Sequence, residues 1–170
     1  SSFYTGLTNN KYDAYLAFNN ILTSPEVGWS SAADSYTATT GNYSGASSIE
    51  GYSGEWLRLD LPVPFRLTEY DVYPRTGFKQ APVNWRVFGF TNGQFYQVDN
   101  VTNANIYSTT MRVIPNPSSI LYDSYVIVFN KKEANTLDRF IAIREWRLYG
   151  SVNKSVETVI SSGVSYTLLA

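Results

Sequence analysis

Residues Gly54–Gly93 read GEWLRLDLPVPFRLTEYDVYPRTGFKQAPVNWRVFGFTNG, and their apolar positions recur every second residue. Leu57, Leu59 and Leu61 alternate with Trp56, Arg58 and Asp60, the period of a half-buried strand. Pro62–Pro64 is expected to end that strand, because proline fixes its own φ and offers no donor to a ladder. A second strand is read over Arg66–Tyr73, with Thr68, Tyr70 and Val72 on one face. Pro74 stops it, and a loop to Pro82 follows, carrying Arg75, Phe78 and Lys79. Val83–Phe90 is a third strand, with Val83, Trp85 and Val87 opposing Asn84, Arg86 and Phe88. Thr91-Asn92-Gly93 is a hairpin turn signal that delivers the partner strand Gln94–Asp99. Short connections and the lack of any helical period make this an antiparallel sheet.

Outside this stretch the strand signals continue downstream and weaken upstream. Thr109–Ile114 is a short strand after a polar loop, and Pro115–Ser119 breaks the chain. Ser124–Lys132 and Arg139–Gly150 are two further strands, joined by a turn at Glu133–Asp138 that supplies Asn and Asp. Upstream, Tyr12–Phe18 reads as either a short strand or one helical turn. Ser30–Gly54 is a run of Ser, Thr, Gly, Ala and Tyr with no core pattern. Its length marks it as a candidate functional loop or a plain surface excursion. Residues 151–170 lack aromatic density and read as a linker or C-terminal extension, so the domain is expected to span 1–150. Seven or eight short strands without a credible helix predict an all-β, antiparallel jelly-roll β-sandwich.

Composition narrows the chemistry. The 170 residues suit one domain with a two-layer core, and the net charge of −1 gives no footprint for nucleic acid or an anionic membrane. There is no cysteine, so thiolate chemistry and cysteine-ligated metals are excluded. There is no histidine either, which removes the usual general base and the commonest transition-metal ligand. No apolar run has the length of a membrane span. Carboxylates stand singly on different strands, without the facing pair that glycoside hydrolysis needs. The expectation is a protein that is not an enzyme.

The blocks Gly28-Trp29-Ser30-Ser31, Gly54–Pro62, Leu67–Arg75, Ala81–Gly93 and Phe140–Gly150 occur in an order that resembles the discoidin, or coagulation-factor C-type, domain family. It also resembles the related carbohydrate-binding modules of the galactose-binding-like fold. The match covers about four fifths of the chain. The variant with Tyr73-Pro74-Arg75, Gly77-Phe78 and a long loop before Gly54-Glu55-Trp56 is most similar to discoidin-type domains of large DNA viruses of algae and amoebae and of phage fibres. The resemblance implies a non-catalytic recognition module whose ligand is held by loops at one end of the sandwich. The expected partner is a glycan on a host or cell surface, in an extracellular or virion-surface setting. The alternative is a structural jelly roll that packs against neighbouring subunits of a capsid or fibre. Fold alone does not choose between them.

Sugar recognition needs an aromatic face and hydrogen-bonding side chains. Arg75, Phe78 and Lys79 offer both on one tight loop, and Tyr36, Tyr43 and Tyr52 on the long loop are added to the candidate set. The other reading of Arg75 is a cap that pairs with a carboxylate such as Asp60. Trp29, Trp56, Trp85 and Trp146 are read as core. Glu145 shares parity with Ile141 and Ile143, so strict alternation turns its carboxylate inward, where it needs a partner. By resemblance to the carbohydrate-binding modules that partner is a structural Ca²⁺, with Asn19, Thr23, Ser24 and loop carbonyls as the other ligands. Asn19 stands where the family has Asp. The alternatives are a bulge that turns Glu145 to solvent, or an ion pair with Arg144 or Arg147.

Overall fold

The computed structural model describes residues 12–23, 27–75, 80–105, 108–114, 117–134 and 138–152. Within them the chain forms a single 3-10 turn, Ala14–Phe18, followed by strands β1 (Trp29–Ser30), β2 (Ser48–Ile49), β3 (Tyr52–Ser53), β4 (Glu55–Pro74), β5 (Pro82–Thr91), β6 (Gln94–Val101), β7 (Thr110–Val113), β8 (Tyr122–Lys132) and β9 (Ala142–Val152). Every strand pairing is antiparallel. The expected all-β sandwich is the observed architecture.

Strand β4 belongs to both layers. Its first part pairs with β8, from Glu55 opposite Phe129 to Asp60 opposite Ser124. Its last part lies between β9 and β7, with Val72 opposite Trp146 on one side and Thr110 on the other. One layer therefore runs β6-β5-β8-β4 and the other β1-β9-β4-β7. The change of layer falls between Asp60 and Phe65, where the register with β8 breaks. Pro62, Val63 and Pro64 sit in this gap and are exposed. Their missing N–H groups forfeit no ladder bond there, so the prolines mark a corner rather than the end that alternation suggested. Tyr125, fully buried on β8, bridges the corner: its hydroxyl donates to the Phe65 carbonyl (2.9 Å) and accepts from the Leu67 N–H (2.8 Å).

The inner faces meet in one core. Leu57, Trp85, Val87, Ile127 and Phe129 from the first layer pack with Tyr70, Val72, Ile143 and Trp146 from the second. Phe129 is its hinge, stacked on Trp29 at 5.7 Å and edge-on to Trp85 at 6.2 Å. Such aromatic pairs contribute about 0.5–1.5 kcal/mol each beyond their burial. Leu59 and Leu148 are half-buried rather than sealed. Trp56 differs from its expected place. It packs on the outer face of the first layer, in a second cluster with Phe88, Val126 and Val128.

That outer cluster is roofed by Ile49 and Tyr52 of the β2–β3 hairpin. The Ser-, Thr- and Gly-rich run is thus organised, not an open loop. Besides this hairpin it holds a bridge between Tyr36 and Tyr43, and Asn42 pairs with Lys131 of β8. The expected turn at Asn92-Gly93 is present with φ of 51° and 78°, the mirror-type geometry that matches strand twist. β9 extends to Val152, and the linker expected at 151–170 otherwise lies outside the described residues.

Candidate functional site

Strand directions gather the loops at two ends, and the described residues of 31–47, 75–81 and 133–141 meet at one of them. Backbone bonds sew these loops together. The Arg75 N–H donates to Ala142 (3.3 Å), Ala142 to Gln80 (3.1 Å), Glu133 to Ala81 (3.0 Å) and Lys132 to Gly41 (2.8 Å). Side chains add to the seam, with Gln80 Nε2 donating to Asp138 at 3.0 Å. Lys132 is fully buried beneath, its Nζ donating to the Glu133 carbonyl at 2.8 Å. Burial lowers the Lys132 ammonium pKa below its usual value, against the pull of Asp138 and Glu133. Asn42, Thr40 and Arg139 are exposed around this floor, and Arg139 pairs with Asp34 at 3.0 Å.

Sequence-predicted ligand residues are not brought together here. Arg75 is at this end but only 8% exposed, with its guanidinium 5.5 Å from the centre of the Tyr12 ring. It offers almost no surface to a ligand. Asp60, its suggested partner, bonds Arg58 at 2.7 Å and sits at the opposite end. Phe78 and Lys79 lie outside the described residues. Tyr36 is a core residue with no exposed surface, its hydroxyl given to the Phe129 carbonyl at 2.8 Å; it cannot meet a ligand in this arrangement. Burial raises its pKa well above the ordinary phenol range, and Glu55 adds to that. Tyr43 is half-buried and pinned, accepting from the Ser47 N–H (3.0 Å) and donating to Glu55 (3.3 Å). Tyr52 is on the outer face of the first layer, under the Arg86 guanidinium at 4.2 Å.

Conversely, Gln80, Asp138 and Asn42 frame the loop end and were not singled out from sequence. Asn and Asp in 133–138 were read only as turn residues, and no local pattern ties Asn42 to β8.

Glu145 is buried under the 19–22 segment, 3% exposed, but not by the alternation that suggested it. Tyr73 faces Glu145 while Pro74 faces Ile143, so Arg144 is an extra residue on β9. This bulge inverts parity: Ile143 and Trp146 enter the core, and Glu145 lies on the other face. Both Glu145 oxygens accept from the Asn20 N–H at 3.1 Å. Burial raises the carboxyl pKa above its usual value, while Asn20 and Arg147 draw it back. Arg147 donates to Asn20 Oδ1, Arg144 to the Leu22 carbonyl at 3.2 Å, and the Ile21 N–H to Asn19 Oδ1 at 2.9 Å.

Calcium needs six to eight oxygens. Among the described residues no group of three or more acidic, His or Cys side chains is placed to hold a metal. Thr23 is exposed, and Ser24 lies outside the described residues. Asn19 Oδ1, Asn20 Oδ1 and the Leu22 carbonyl accept from N–H donors, two of them guanidinium groups, so these three oxygens do not fit a calcium ion as ligands.

No family model and no curated protein sequence matches the chain. Solved structures do match. The family 32 carbohydrate-binding module of Streptococcus pneumoniae EndoD superposes with a TM-score of 0.61 at 13% identity, over 85% of this chain and 90% of that one. The family 32 module of Clostridium perfringens NanJ, solved in complex with galactose, gives 0.58 at 14% identity over 87% and 88%. An F5/8 type C domain from Bacteroides fragilis gives 0.56 at 17% identity over 84% and 83%. At these identities the likeness is one of architecture, and the chain has the galactose-binding-like β-sandwich fold that these carbohydrate-binding and F5/8 type C domains share.

Proposed function

We propose that the chain is a non-catalytic glycan-binding module, its ligand held at the end where loops 75–81 and 133–141 meet. The observation that supports this most is the likeness to sugar-binding modules across nearly the whole described sandwich, one of them in complex with galactose. The loop end adds exposed Asn42 and half-buried Asp138, whose amide and carboxylate groups suit sugar hydroxyls, with Gln80 buried beneath and bonded to Asp138. In this reading Phe78 supplies the stacking face and Lys79 a further donor, while Arg75, buried, takes no direct part. An extracellular setting belongs to the same reading. Display on a virion or fibre rests on the Tyr73–Phe78 motif and the long loop before Gly54.

A glycan array probed with the 170-residue chain tests the reading, followed by titration of the best sugar. Phe78→Ala should weaken binding about tenfold at an unchanged melting temperature. Salt should change affinity little, since the net charge is −1. A blank array, or full affinity in Phe78→Ala, refutes it. One observation favours the packing alternative: Met111 and Val113 on edge strand β7 are 66% and 68% exposed.

A further inference from the structure

Two oxygens of the 19–22 segment, Asn20 Oδ1 and the Leu22 carbonyl, accept from arginines of β9. We propose that Arg144 and Arg147 serve as the built-in cation of this segment, so that the loop and the sandwich end it borders are set without a metal ion. The Arg144 bulge makes this geometrically possible. Without the extra residue, Glu145 would enter the core and Trp146 would leave it. With it, Glu145 and Arg147 project from the same face, two residues apart, and Arg144 reaches the Leu22 carbonyl. Asn20 completes the latch. Its φ of 58° is a left-handed conformation that asparagine tolerates. Its N–H meets both Glu145 oxygens, while its side-chain oxygen accepts from Arg147.

Asp71 stands opposite Arg147 on β4, and the positive charge of Arg147 acts on the Glu145 carboxyl, drawing its pKa down. A divalent ion seated on Glu145 and Asn20 Oδ1 would have to displace Arg147 and meet its charge. Arg147 is itself held in place. Its guanidinium lies 4.9 Å from the centre of the Tyr73 ring, and Nη1 donates to the Tyr73 hydroxyl at 3.3 Å. The Tyr73 and Tyr149 hydroxyls bond Asp71 Oδ2 at 3.4 and 3.0 Å. Tyr73 precedes Pro74 and Arg75, where the candidate ligand loop begins. One connected set of side chains thus joins the 19–22 segment to the root of that loop.

Thermal unfolding of the chain in chelator and in millimolar calcium tests the proposal, with the Asn20 and Ile21 amide NMR signals followed in parallel. The melting temperature and both signals should be the same in the two conditions. Arg147→Met should lower the melting temperature by roughly 3–6 °C, whether or not calcium is present. If that variant does not fold, Arg147→Lys, which keeps the charge but not the forked donor, should show a smaller loss. A calcium-dependent rise in wild-type melting, a calcium-dependent shift of the Asn20 amide, or wild-type stability in Arg147→Met overturns it.

Discussion

Replacing Tyr70 by Phe removes one oxygen from the centre of the sandwich. Tyr70 is fully buried, and its hydroxyl accepts from Trp85 Nε1 at 2.9 Å and donates to Asp99 Oδ2 at 2.8 Å. It thereby ties β4 of one layer to β5 and β6 of the other. Asp99 also receives Arg112 Nε and Nη2 at 3.0 and 3.1 Å and the Asn100 N–H at 2.8 Å. Phenylalanine fills the same ring volume, so no cavity contributes. The buried Trp85 N–H loses its acceptor, at a cost of about 1–3 kcal/mol, and the charged Asp99 loses one of its donors, about 1 kcal/mol more. The sum is about 2–4 kcal/mol, or roughly 5–12 °C in melting temperature for a chain of this size. Urea unfolding followed by tryptophan fluorescence should show an earlier midpoint at an unchanged slope. If Tyr70→Phe lies within about 0.5 kcal/mol of wild type, water or Asp99 has rescued the indole, and the network does not hold the layers.

The same network sets an acid response. Burial alone would raise the Asp99 pKa, but the bonds from Arg112, Tyr70 and Asn100 outweigh it and hold the value below the ordinary 3.8. The folded-state value is thus lower than the unfolded one, so Asp99 stabilises the fold above the unfolded pKa and that contribution disappears as pH falls through the folded pKa. Unfolding free energy measured from about pH 5 to pH 2 should fall less steeply in Asp99→Asn than in wild type. Glu145 has the opposite sign, its raised pKa making the fold more stable as pH drops. Gly41→Ala should cost about 1–3 kcal/mol. The glycine has φ of 70°, and an added Cβ would stand 2.1 Å from the Lys132 carbonyl. Calorimetry reads the loss, and an unchanged transition means that this loop is not seated on β8.

Alternation in the central stretch made the strands and their faces legible, because one side of each is sealed by the opposite layer. It did not show that β4 continues through Pro62–Pro64. A proline's missing donor matters only where a ladder partner waits, and between Asp60 and Phe65 there is none on β8. Periodicity also misassigned Glu145, since a bulge inserts a residue without changing composition. It reached a buried carboxylate by the wrong face. Tyr36 was hidden for another reason. Its burial depends on the fold-back that pairs it with Tyr43, and the Ser- and Thr-rich residues around it have no apolar period. Reading Trp56 as part of the inter-layer core fails because its strand has apolar cover on both sides, from the opposite layer and from the β2–β3 hairpin. Arg75 does lie at the end where the candidate loops meet, but buried. The groups that frame that end come from segments joined only in three dimensions.

A strand shared by both layers also governs how the molecule opens. Lifting away either layer breaks the hydrogen bonds of β4 on that side, and the same backbone runs on as a paired strand of the other. Amides of Leu57 and Tyr70, in different layers, are therefore expected to exchange with solvent through one shared event rather than two independent ones. Loops at either end do not carry this coupling. Their sequences can diversify, and with them whatever the module recognises, while the cooperative unit beneath stays the same.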